Sequence, residues 1–161
     1  MFPEDLLADA RRLHALCEAK GLMLACAESC TGGLVSGCLT AVAGSSKVVE
    51  RGFVTYTNQA KRDLLGVPME LFETVGAVSE AVARAMADGA LQAAPVDLAL
   101  SVTGVAGPGA SHRKPAGLVY VGCALRGEET QVSENHFSGD RDAVRLQSVG
   151  KALAMALARL H

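Results

Sequence analysis

Ser29 lies in the stretch Cys26-Ala27-Glu28-Ser29-Cys30-Thr31-Gly32-Gly33, between two apolar segments of different period. Before it, Leu22-Met23-Leu24-Ala25 reads as a buried strand. After it, Leu34, Val35, Cys38, Leu39 and Val42 recur at helical spacing and predict a helix to about Val42. A serine followed by Thr and two Gly at such a junction has backbone N–H groups close by. That arrangement suits a nucleophile beside an oxyanion hole, or a phosphate cradle. The plainer use of a serine there is a helix N-cap. Two familiar serine-hydrolase patterns are missing: there is no G-x-S-x-G elbow, and Gly32 stands where S-x-x-K has its lysine.

Lys61 is the second reactive candidate. It falls in the first turn of a helix that Thr57 or Asn58 would cap. The positive end of the helix dipole disfavours a cation there, which lowers a lysine pKa toward what a base near neutral pH needs. A surface lysine beside Arg62 and Asp63 is the competing reading. Tyr56, at the end of the strand before it, can orient the lysine or a substrate, or be a half-buried strand aromatic.

A second glycine-rich loop runs from Gly104 to Gly109 after the strand ending at Thr103. It lacks the Gly-Lys-Ser/Thr ending of a P-loop, so it is either an anion-binding turn or a structural one. Arg141 and Arg145, one helical turn apart, could each reach a phosphate, with surface ion pairing the expected role of Arg141. The five Cys (17, 26, 30, 38, 123) include no CxxC pair and read as small buried hydrophobes of a reducing compartment. Cys30 is the exception, since a thiol near a helix N-terminus tends toward a lower pKa. The four His are scattered and make no metal-ligand spacing, so no metal is expected.

The elements that must position these residues follow from the patterning. A helix opens at Pro3 and runs to about Lys20, with Leu6, Ala10, Leu13 and Cys17 on one face. The first strand and the Ser29 helix follow, then a strand from Val48 to Tyr56 and a helix to Leu65. A helical turn at Met69–Phe72 and an alanine-rich helix capped by Ser79 precede the strand Val96–Thr103. Ser111 to Pro115 is polar, basic and expected to be mobile. Gly117–Leu125 and Thr130–Phe137 form a hairpin about Arg126–Glu129, and Asp140 caps the last helix. Alternating strands and helices, then a hairpin, predict a three-layer α/β/α sandwich with a mixed, mostly parallel sheet in one domain, residues 1–161. Both glycine-rich loops leave the C-terminal ends of strands, where such sheets bind ligands.

Composition sets the remaining bounds. Half of the 161 residues are hydrophobic but only 4% aromatic, so Ala, Val and Leu must build the core. A net charge of −2 offers no basic field for nucleic acid. No apolar run is long enough for a membrane span, and the acidic start is unlike a signal peptide, so a cytoplasmic location is expected. The alanine-rich helix and the last helix have faces that could pair in a two-fold dimer.

Six blocks in order carry a family resemblance: Ala27–Gly33; Val54-Thr55-Tyr56-Thr57-Asn58-x-x-Lys61 with Leu65-Gly66-Val67; Gly76–Ser79; Thr103–Gly109; Lys114-Pro115-x-Gly117; and Phe137-x-Gly139-Asp140-Arg141 with Val144-Arg145. Together they resemble the CinA C-terminal-domain family of nicotinamide-nucleotide amidases, in the stand-alone form. The resemblance implies the same three-layer fold, no cofactor, and hydrolysis of nicotinamide mononucleotide to nicotinic acid mononucleotide and ammonia in pyridine nucleotide recycling. It implies a serine–lysine dyad, here Ser29 and Lys61. On that reading the oxyanion meets the backbone of Cys30, Thr31, Gly32 and Gly33, although Gly32-Gly33 could hold the phosphate instead. Arg145 and the loop from Gly104, with a hydroxyl of Thr31 or Thr103, are the expected phosphate donors. Ala110-Ser111-His112-Arg113 departs from the family's usual small residues. A non-catalytic nucleotide-binding module and an amidase for a related nicotinamide compound are the alternative readings.

Overall fold

Strand β1, Leu24–Glu28, is buried at every position and lies at the centre of the parallel part of the sheet. The computed structural model describes every residue except His112. Around β1 the order is β2-β1-β3-β4-β5, with β2 at Val49–Val54, β3 at Leu98–Gly104, β4 at Leu118–Leu125 and β5 at Gln131–His136. β1 pairs parallel with β2 and β3, and both hairpin pairings, β3–β4 and β4–β5, are antiparallel. Only β4 therefore runs against the other strands, and the sheet is mixed but mostly parallel, as expected.

Helices cover both faces. Helices α1 (Glu4–Lys20), α2 (Leu34–Thr40) and α6 (Arg141–Leu160) pack on one side; α3 (Asn58–Leu65), α4 (Met69–Thr74) and α5 (Glu80–Ala93) pack on the other. The period of two along the strands decides what each layer meets. Leu24 and Cys26 of β1, with Leu98, Leu100 and Val102 of β3, join Leu13, Leu39 and Leu153 in the larger core. The alternate residues Ala27 and Ala99 face Val82, Met86 and Ala90 of α5.

That second face is built from small residues, so α5 approaches the sheet closely. The Ser101 hydroxyl donates to the Ala83 carbonyl at 2.6 Å. A Cβ on Gly122 would lie 2.4 Å from Ser101 Oγ and 2.9 Å from the Ala83 carbonyl. Gly122→Ala must displace α5 or break that bond, and overpacking of this kind costs about 1–3 kcal/mol. A fall of several degrees in Tm by calorimetry is the expected result.

Element boundaries differ from expectation where local bonding intervenes. β1 begins at Leu24, because the Leu22 amide still closes the α1 C-terminus on Cys17 and the Met23 amide donates to Asp97. α2 begins only at Leu34, since Gly32 and Gly33 both adopt positive φ (57° and 104°), and it ends at Thr40 rather than near Val42. The Thr57, Ser79 and Asp140 side chains cap α3, α5 and α6. Of the polar stretch after Gly109, Ser111 and Lys114 pair with each other through two backbone bonds, and Lys114 Nζ donates to the Val78 carbonyl at 2.9 Å. His112 lies outside the described residues.

Candidate active site

The ends of β1, β2 and β3 meet at one place, and Ser29 is the residue that follows β1. Its amide donates to the Val102 carbonyl of β3 at 2.9 Å, while the Thr55 amide donates to the Glu28 carbonyl at 2.8 Å. Ser29 is 9% exposed. The chain then turns sharply: the Gly32 amide closes on the Ser29 carbonyl at 3.0 Å. Ser29 caps no helix. The cap of α2 comes instead from Glu28, whose buried carboxylate accepts from the amides of Gly33, Val35 and Ser36 at 3.2, 2.9 and 3.0 Å and from the Ser36 hydroxyl at 2.8 Å. A carboxylate there complements the helix dipole and fills most of its acceptor capacity.

This bonding changes the reading of the glycines. The Gly32 and Gly33 amides are both engaged, so neither faces an oxyanion or a phosphate. Their shared property is positive φ, which carries the chain from the turn into α2. Among the described residues, the amides of Cys30 and Thr31 donate to no neighbouring backbone or side-chain acceptor on another residue. The Thr31 side chain is fully buried and its hydroxyl has no partner among the described residues.

Lys61 is 1% exposed, which removes the surface-lysine reading. Its Nζ lies 2.9 Å from Ser29 Oγ, 2.8 Å from the Thr55 carbonyl and 3.4 Å from the Tyr56 carbonyl. A neutral amine has two N–H donors and one lone pair. Two carbonyls and one hydroxyl match that inventory in number, and an ammonium at the same place would donate to all three oxygens. Burial lowers the Lys61 pKa to about 8, offset in part by the Cys30 thiol. The cause is desolvation and not the helix dipole on which the sequence argument rested.

Next to the pair is a cavity of about 250 Å³ lined by Cys30, Tyr56, the Gly104–Ser111 loop and Arg141. Arg141 is held across its mouth, donating to the Gly107 carbonyl at 2.7 Å and to the Tyr56 hydroxyl at 3.0 Å. It is not paired with Asp142 as the sequence suggested. Tyr56 is 58% exposed and contributes in two ways, its carbonyl to Lys61 and its phenol to the cavity. Cys30 also lines the cavity, but burial pushes its thiol up to about 11, the reverse of the expected fall, because the α2 terminus is occupied by Glu28.

Two expected substrate donors are otherwise employed. The Thr103 hydroxyl is buried and donates to the Ala77 carbonyl at 2.8 Å, tying the segment before α5 to the sheet. Arg145 turns toward the Ser29–Gly32 turn and donates through Nε to the Cys30 carbonyl at 3.1 Å and through Nη2 to the Thr31 carbonyl at 3.3 Å. Gly104 lines the cavity, and a Cβ on it would meet Val119 Cγ2 at 2.6 Å, so packing against β4 requires glycine there.

Residues 8–160 match the family described as CinA C-terminal domain. This chain belongs to that family. Among its members, the nicotinamide-nucleotide amidohydrolase PncC of Enterobacter agglomerans is 49% identical, with 91% of this chain and 94% of that protein covered. A CinA-like protein of Geobacter sp. (strain M21) is 52% identical, but this chain spans only 35% of its length. The crystal structure of the competence/damage inducible protein CihA from Agrobacterium tumefaciens has a TM-score of 0.95 at 48% identity, covering 98% of this chain and 97% of that one. The fold and the ordered sequence blocks thus lead to the same family.

Sequence reasoning did not single out Glu28, and it named Arg141 as able to reach a phosphate but expected surface ion pairing for it. Glu28 carries a signal in retrospect: an acidic residue at a strand end, just before a Gly-Gly step, is within reach of the next helix N-terminus. Arg141 follows the Asp140 cap directly, and the first turn of α6 faces the Gly107 carbonyl only because the sheet brings residues 107 and 141 together.

Proposed function

We propose that this chain hydrolyses nicotinamide mononucleotide to nicotinic acid mononucleotide and ammonia. The observation that carries the reading is the 2.9 Å approach of a buried lysine to a buried serine, beside a cavity with an arginine at its mouth. The identity with an enzyme named nicotinamide-nucleotide amidohydrolase supplies the substrate class.

The chemistry is acyl transfer. Neutral Lys61 takes the Ser29 proton while Oγ attacks the carboxamide carbon. The oxyanion is held by the amides of Cys30 and Thr31 in place of those of Gly32 and Gly33. Protonated Lys61 gives its proton to the departing ammonia, and water then resolves the acyl-enzyme. The pyridinium charge withdraws electrons and eases attack on this amide. Tyr56 holds Lys61 through its carbonyl and bounds the cavity with its phenol.

The 5′-phosphate is assigned to Arg141 and the Gly104–Gly109 loop, which line the cavity, rather than to Arg145, which does not. Arg141→Ala is expected to raise KM for the mononucleotide about tenfold or more, the effect of one charge-assisted hydrogen bond, with kcat little changed. An unchanged KM removes Arg141 from the phosphate site. The reaction itself is tested by ammonia release from a panel of nicotinamide compounds; no release from the mononucleotide by the wild type rejects the substrate.

A further inference from the structure

The turn that carries the nucleophile is gripped from both sides by charged side chains. Glu28 holds the amides of Gly33, Val35 and Ser36. On the opposite side, Arg145 reaches from α6 to the carbonyls of Cys30 and Thr31, 115 and 114 residues away in sequence. Carbonyl and N–H point in opposite directions across a trans peptide. Fixing the Cys30 carbonyl therefore fixes the Thr31 N–H on the far side.

The Cys30–Thr31 peptide is the central unit of the turn closed by the Gly32 amide on the Ser29 carbonyl. In a turn of this kind the central unit is the one with most freedom to tilt, because the closing bond does not involve it. Arg145 supplies that missing restraint. Gly32 leaves room for it: a Cβ there would lie 3.4 Å from Arg145 Nη2.

The geometry points to Arg145 as a positioning residue that holds the Cys30–Thr31 peptide so that the free amides of the nucleophile turn face the oxyanion formed on Ser29. Arg145 does not itself line the cavity and makes no hydrogen bond to Ser29; it acts through the backbone it grips, that of cavity-lining Cys30 and of Thr31. The inference rests on Ser29 being the nucleophile, and it deepens that reading without depending on which amide is the natural substrate.

Two reactions separate those dependencies. One is ammonia release from nicotinamide mononucleotide. The other is the burst of 4-nitrophenolate from 4-nitrophenyl acetate, in which Ser29 Oγ bonds the acetyl carbon, the ester C–O bond breaks, and the serine proton passes to Lys61. In Arg145→Ala, kcat and burst rate are expected to fall about tenfold to a hundredfold, the cost of a misaligned oxyanion donor. KM, and the Kd for nicotinic acid mononucleotide by calorimetry, should stay within about threefold. Added guanidinium ion should restore part of the burst rate in Arg145→Ala, and Arg145→Lys should fall between alanine and wild type.

A rise in KM and Kd at constant kcat makes Arg145 a ligand contact and overturns the proposal. So does a lowered Tm with a normal burst rate, which is a purely structural role. Should the alanine variant not fold, Arg145→Lys and Arg145→Gln carry the same readouts. A wild type that shows the burst but releases no ammonia rejects the mononucleotide as substrate and leaves the Arg145 assignment to stand on the burst.

Discussion

Ser29→Ala is expected to reduce ammonia release by about 10⁴-fold or more, the scale on which removal of a nucleophile acts when the rest of the site is intact. Nucleotide affinity should survive, because the groups assigned to the phosphate, Arg141 and the Gly104–Gly109 loop, do not depend on the hydroxyl. The fold should survive as well. The serine caps no helix, and its amide bond to Val102 does not involve the side chain. The decisive comparison is kcat against the Kd for nicotinic acid mononucleotide, with a melting curve for each variant. Turnover near the wild-type rate would make Ser29 a bystander and return the chain to a binding role. Loss of binding together with turnover would place the hydroxyl in the ligand contact instead.

The fold was legible in the sequence because its determinants are local. The continuous apolar runs of β1 and β3, the caps at Thr57, Ser79 and Asp140, and the left-handed glycines after α1 and α3 are each written within a few residues. Boundaries were less legible where a long-range bond decides them. β1 starts late because Asp97, level with Met23 just before the neighbouring strand but 74 residues away in sequence, takes the Met23 amide.

The site divides along the same line. Ser29 and Lys61 stand out by type and by the junctions they occupy, and both residues meet. What each backbone group does around them depends on partners tens of residues away. The Gly33 amide donates to Glu28 and the Gly32 amide to the Ser29 carbonyl, and Arg145, expected at the phosphate, is aimed by α6 at the Cys30 and Thr31 carbonyls. Thr103 reads as a surface-directed hydroxyl at a strand end, but the segment before α5 covers it. Sequence pointed to Ser29 and Lys61, which the fold brings together; tertiary contacts set the hydrogen bonding around them.

Lys61→Met carries the second large effect, and it separates a base from a structural lysine by pH. A general base contributes about 10²–10⁴-fold, and here it also activates the nucleophile, so kcat should fall toward the upper end of that range. In the wild type kcat/KM should rise with pH and level off above about 8, where Lys61 is neutral. Stability supplies an independent check. The folded-state pKa of Lys61, about 8, lies below the 10.5 of an unburied lysine. Below pH 8 both states are protonated and the folded state bears the whole cost of burying the charge. Between pH 8 and 10.5 the unfolded chain binds more protons, so Lys61 adds stability as pH rises, to a total of about 3 kcal/mol. Burial raises all five thiols, which works the other way above about pH 9, since the unfolded chain then loses protons that the folded one keeps. The wild-type curve alone mixes these slopes. The difference between wild type and Lys61→Met cancels the four thiols other than Cys30 and leaves the lysine with its smaller coupling to Cys30: methionine should gain relative stability below pH 8 and lose that advantage by pH 10.5. Parallel denaturation curves across that window would mean that Lys61 titrates like a surface amine, and the neutral base would have to be abandoned.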